Sequence, residues 1–167
     1  MNSKKIRQYV GIIVALLSYY LIHEGAHLVY ALSMGTFKTI NLMGFVGVQI
    51  VADIDRMTST QVGWFCLVAP LATLVTAIVL VLATKRICTF KSPLLRAVMY
   101  YVTLIMLFLD PVYLSVLYKF VGGGDMNGIS LLVPELAARI SFGILFLLNL
   151  LVFVYRVLPA YKRSFSS

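Results

Sequence analysis

His23 and His27 stand four residues apart with Glu24 beside the first, in the run Ile22-His23-Glu24-Gly25-Ala26-His27-Leu28. On a helix this spacing puts both imidazoles on one face, one turn apart, where they can reach a single ion. It is the H-E-x-x-H pattern of metal-assisted amide hydrolysis. Neutral imidazole is a good zinc ligand, and a third protein ligand would leave a fourth position open for water, whose pKa the ion lowers. Glu24 neighbours the ligands without being one. It is placed to take the proton of that water and pass it to the leaving amine.

The elements that must position these side chains are unusually apolar. Of the 167 residues 61% are hydrophobic and 12% charged, and the mean hydropathy is +0.96. Soluble domains contain about 45–50% apolar residues, so the chain reads as an all-α, polytopic integral membrane protein with a single domain over residues 1–167. Four runs, approximately Tyr9–Met34, Ser59–Ala83, Ala97–Val121 and Pro134–Val157, reach the roughly 20 helical residues needed to cross a bilayer. Pro134 suits the first turn of the last helix, and Gly122, Gly123 and Gly124 mark a break before it. The His23–His27 group lies inside the first run. An ionisable residue near the centre of a span costs about 2.5–3.5 kcal/mol, and a helical glycine such as Gly25 about 1 kcal/mol more, which argues against an idle cluster. The structural alternative is a pair of histidines hydrogen-bonded to neighbouring helices.

The formal charge of +8 does not point to nucleic acid, because the basic residues interrupt apolar runs and form no single basic face. Lys4, Lys5, Arg7, Lys85, Arg86, Lys91, Arg96, Arg156, Lys162 and Arg163 flank one set of helix ends with no acidic residue among them; Lys38, Arg56, Lys119 and Arg139 share the opposite connections and the spans with all the acidic residues. Both termini are therefore expected to face the cytoplasm, with the basic ends drawn to anionic lipid. Lys4, Lys5 and Arg7 also suit a signal peptide, but no small-x-small cleavage site follows and the apolar run continues too far. Cys66 and Cys88 lie roughly 33 Å apart if the stretch between them is helical, so no disulfide is expected. Glu135 and Arg139, at i and i+4, read as a helical salt bridge.

With these residues in place, the chain resembles the site-2 proteases, intramembrane zinc metalloproteases that carry H-E-x-x-H in a membrane-spanning helix. Leu67–Thr73, reading L-V-A-P-L-A-T, is similar to their G-P-L-x-N segment, with Ala69 in place of glycine and Thr73 in place of asparagine. The stretch 37–51, with Gly44 and Gly47, alternates as a short β-hairpin would. In the family such an element dips into the membrane and can pair with an unwound substrate; an extramembrane hairpin is the other reading. Gly124-Asp125-Met126-Asn127-Gly128 resembles the segment that supplies the family's third metal ligand.

The resemblance implies a zinc site of His23, His27 and Asp125, with Glu24 as general base and then acid; Asn127, two residues after Asp125, is read beside it as a donor to the tetrahedral intermediate. Depth offers an alternative ligand. His23 and His27 lie roughly 10–16 Å from the outer end of their helix, and Asp110 sits at about the same depth in the third span. The implied activity is zinc-dependent hydrolysis of a peptide bond in a membrane-anchored protein or peptide. Substrate filtering would fall to the short connections or to a regulatory membrane partner, since no appended soluble domain is seen. The competing function is that of a non-proteolytic metal-binding membrane protein, a transporter or sensor; only one span carries histidine, which weighs against transport.

Overall fold

The computed structural model describes residues 3–43, 47–122 and 124–166. The middle of the 37–51 stretch, with Gly44, and Gly123 of the glycine triplet lie outside the described residues. Helix α1 (Ser3–Ser33) is followed by strands β1 (Phe37–Met43) and β2 (Gly47–Ala52), then α2 (Ser59–Ile87). Helix α3 (Pro93–Val121), the short α4 (Gly124–Ile129) and α5 (Glu135–Ser166) complete the chain. Among the described residues, α1, α2, α3 and α5 are long and apolar enough to cross a membrane.

These helices overrun the four apolar runs at the basic ends, because hydropathy marks only the apolar part of a helix while caps mark where it stops. Thr58 caps α2 in a reciprocal box: its side chain accepts from the Gln61 N–H at 3.3 Å and its own N–H donates to Gln61 Oε1 at 2.8 Å. Ser92 caps α3 ahead of Pro93. Pro134 is the cap of α5 and not a residue of its first turn. The basic ends also meet in space. Arg96 at the start of α3 donates to the Ser164 carbonyl near the end of α5 at 2.5 Å, and the Ser164 hydroxyl donates to the Cys88 carbonyl at the end of α2 at 3.3 Å.

One face of α1 is buried at every fourth position: Gly11, Ala15, Tyr19, His23, His27 and Ala31. Small residues near its ends let α3 and α2 come close; a Cβ on Gly11 would stand 2.5 Å from the Tyr101 ring. The two histidines occupy the middle of this packed stripe, so they face the interior of the bundle.

Two prolines interrupt the long helices beside the site, Pro70 in α2 and Pro111 in α3. Pro111 has no N–H to give the carbonyl four residues earlier. That carbonyl belongs to Leu107, and buried Asn149 of α5 supplies the missing donor at 2.6 Å. Past Pro111 the helix widens into a π-turn over Tyr113–Leu117. The turn brings Tyr118 and Lys119 beside the start of α5, which breaks the expected Glu135–Arg139 pairing. Glu135 instead accepts from the Tyr118 hydroxyl and lies 3.4 Å from Lys119 Nζ. Arg139 places its guanidinium 5.7 Å from the Tyr118 ring centroid, with Nε 3.3 Å from the Ser115 carbonyl.

The hairpin expected between the first two long helices is present, antiparallel, with an irregularity between Phe37 and Thr39. It turns back along α1 and does not project beyond it. Gly47 packs on Tyr20, and the Ile50 N–H meets Glu24. Tyr20 lies 13 residues before the end of α1, roughly 20 Å along its axis. The hairpin therefore reaches the depth of the histidine pair.

Candidate metal centre

The site assembles from α1, α2, α3 and α4. His27 is oriented by the helix behind it, its Nδ1 2.8 Å from the Phe65 carbonyl. A carbonyl can only accept, so Nδ1 carries the proton and Nε2 presents a lone pair. His23 follows the same rule through a different partner. Its Nδ1 lies 3.1 Å from the Tyr19 hydroxyl and 3.3 Å from Asp110 Oδ1. The single hydroxyl proton of Tyr19 goes to Asp110 Oδ1 over 2.5 Å. Asp110 accepts at Oδ1 from Tyr19 and at Oδ2 from Thr73, so the Tyr19 oxygen and Asp110 both act as acceptors and Nδ1 of His23 is the donor.

Both Nε2 atoms face Asp125. The distances are 3.2 Å from His23 Nε2 to Asp125 Oδ2 and 3.4 Å from His27 Nε2 to Asp125 Oδ1. Tautomers that place each proton on Nδ1 leave no hydrogen between these nitrogens and the carboxylate. Three acceptors thus converge, one ligand atom from each residue lying within 4.8 Å of the others. Such a group is repulsive unless a metal ion or a shared proton sits among its members, and His23 Nε2 is within hydrogen-bond reach of Asp125 Oδ2. Two ligands bound at about 2.0–2.1 Å to a tetrahedral ion stand about 3.3 Å apart, so the observed spacing and the two-imidazole, one-carboxylate donor set fit zinc.

Asp125 reaches this point because the chain folds back at the glycine break. Gly122 has φ +99°, a conformation that residues with a Cβ rarely adopt, and its carbonyl accepts from the Tyr113 hydroxyl at 2.6 Å. Gly128 lets α4 lie directly on α2: a Cβ there would stand 2.2 Å from Cys66 Sγ. Asp110 competes in depth but not in direction, since it lies against the Nδ1 edge of His23 while Asp125 takes the Nε2 edge.

Glu24 is not one of the three converging residues, and its Oε2 accepts from the Ile50 N–H at 2.8 Å. His23, Glu24, His27, Asp125 and Asn127 all line one cavity of about 980 Å³, walled by β2 on one side and by α3 and α4 on the other. Every site residue expected from the sequence is therefore brought to one place. Tyr19, Thr73, the Phe65 carbonyl and the Ile50 N–H were not anticipated there. Tyr19 had a legible signal, since it precedes His23 by four residues on the same helical face.

In comparisons with known proteins, no family model, curated protein or solved structure matches the chain.

Proposed function

We propose that the protein is an integral membrane zinc endopeptidase of the site-2 protease type, acting on a peptide bond of a membrane-anchored substrate. The observation that carries this reading is the convergence of His23 Nε2, His27 Nε2 and the Asp125 carboxylate, one ligand atom of each within 4.8 Å of the others, beside a glutamate that does not join them. In this reading α1, α2, α3 and α5 span the bilayer with both termini on the cytoplasmic side. The glycine break and the hairpin then lie at membrane depth, which non-helical backbone tolerates where it lines a cavity.

A zinc ion held by His23, His27 and Asp125 would supply Lewis acidity, polarising the scissile carbonyl and acidifying a water. The chain's own groups do the rest. Glu24 accepts the proton of the attacking water and returns it to the leaving nitrogen, so it acts first as base and then as acid. Asn127, two residues after Asp125 on α4, offers its side-chain amide to the oxygen that becomes negative. By the same resemblance, a helical substrate unwinds locally before it is cut in the cavity lined by β2, α3 and α4.

The test pairs metal content with proteolysis. The purified protein should contain one zinc, and Glu24→Gln should keep it, because the amide preserves shape and removes the proton chemistry. Membranes from cells expressing the wild type should contain new peptide termini within or beside apolar segments, and those from cells expressing Glu24→Gln should not. Identical termini in both would overturn the protease reading.

A further inference from the structure

The Asp110 carboxylate is 2% exposed, in the middle of an apolar bundle. A buried carboxylate is costly unless its oxygens are satisfied and its charge is balanced. Its oxygens are satisfied from two helices. Tyr19 of α1 donates to Oδ1 at 2.5 Å, and the Thr73 hydroxyl of α2 donates to Oδ2. Its one partner among the described ion-pair contacts is the ring of His23, with Nδ1 at 3.3 Å. No lysine or arginine enters these pairs with it.

We infer that Asp110 is a positioning residue for the metal centre, fixing the tautomer and the ring orientation of His23 through Nδ1, with Tyr19 and Thr73 holding the carboxylate in place. The inference rests on the metal-centre reading given above. The Tyr19 hydroxyl donates its only proton to Asp110, so it cannot donate to His23, and the imidazole must itself be the donor. The Nε2 lone pair is then fixed on the side of Asp125. A carboxylate behind a metal-bound imidazole also increases the donor strength of the ring, whereas His27 has only the neutral Phe65 carbonyl in that place. The two histidines are thus unequal, and His23 is the stronger donor. Thr73 gains a function here that the sequence does not reveal: it is the α2 side chain that keeps Asp110 aimed at α1.

The probes are Zn2+ alone, titrated against a chromophoric chelator, and the ring 15N signals of His23 in the full-length, detergent-solubilised protein. Asp110→Asn should weaken Zn2+ binding by about 10–100-fold. In the metal-free wild type the His23 signals should show the proton on Nδ1, and in Asp110→Asn that preference should be lost. A merely structural role would leave the tautomer unmoved. If Asp110→Asn does not fold, Thr73→Val serves in its place, with weaker Zn2+ binding and the same change at Nδ1 in smaller measure. Wild-type Zn2+ affinity in a folded Asp110→Asn, or in Thr73→Val where Asp110→Asn does not fold, would overturn the inference and leave the metal centre standing. Absence of Zn2+ binding by the wild type would instead overturn the metal-centre reading. The nitrogen signals need no metal, and a His23 Nδ1 without a proton in the wild type would refute the role of Asp110 in either case.

Discussion

The main-chain N–H of Ile50 donates to Oε2 of Glu24 across 2.8 Å, joining β2 to the one acidic side chain of α1. Ile50 lies opposite Ile40 in the antiparallel pair. Its N–H points away from β1, so this is a non-hydrogen-bonded position of the ladder and the amide is free to serve Glu24. The bond occupies one carboxylate oxygen and leaves the other for a proton. The hairpin therefore sets where the proposed base stands.

Ile50→Pro removes that N–H without removing a ladder bond, which makes it an unusually clean substitution for a strand. It should lower the rate of proteolysis by about tenfold or more, the equivalent of a hydrogen bond to a charged group at about 1.5–3 kcal/mol. Zinc content should be unchanged. Ile50→Val is the control and should be near wild type. A Pro variant with full activity would show that Glu24 needs no support from the strand.

Asp125→Ala leaves two of the three proposed ligands. Loss of groups that only orient ligands costs about 10–100-fold in metal affinity, so loss of a ligand should exceed that. Zinc retained after mild chelator treatment, per folded protein, is the measurement. The aspartate's charge is removed from the interior as well, so thermal unfolding of the metal-free form should be recorded alongside; wild-type retention would remove Asp125 from the ligand set.

Gly128→Ala should force α4 away from α2, because the added methyl meets Cys66 Sγ at 2.2 Å and Cys66 Cβ at 2.7 Å. Overpacking of this kind costs about 1–3 kcal/mol. Asp125 rides on α4, so zinc affinity should fall with stability. Combining Gly128→Ala with Cys66→Gly moves the side chain from one helix to the other and should restore both. Failure of the double variant to recover zinc would mean that α4 is held by other contacts.

The orientation of the spans is testable with single cysteines at Asp55 and Lys162 in a background lacking Cys66 and Cys88. Both positions are exposed. They should be labelled by a membrane-impermeant reagent from opposite sides. Labelling from one side would overturn the cytoplasmic placement of the termini.

The long helices and the ligand pair were legible because each has a local signature, about 20 apolar residues in one case and a four-residue spacing in the other. Asp125 was legible only by resemblance. Depth counted along the helices favoured Asp110, because counting residues gives height and not direction. What separates the two aspartates is which edge of the His23 ring each one meets, and that is fixed by how α1, α3 and α4 pack. Glu135 shows the same limit: an i, i+4 partner was at hand in Arg139, yet the π-turn of α3 delivered Tyr118 and Lys119 instead. The Ile50 amide could not be read at all, since backbone groups carry no residue identity.

The hydrogen bond from Asn149 to the Leu107 carbonyl bears on how the bundle can move. Contacts between greasy helices in lipid are nearly as good after a small slide or rotation as before it, so apolar packing alone sets a soft register. A single amide meeting a single orphaned carbonyl is satisfied in one alignment only. Since Leu107 lies just before Asp110 on α3, this lock anchors the height of the carboxylate relative to α5. A slide of α3 along α5 must therefore break this bond, which keeps the two helices in step.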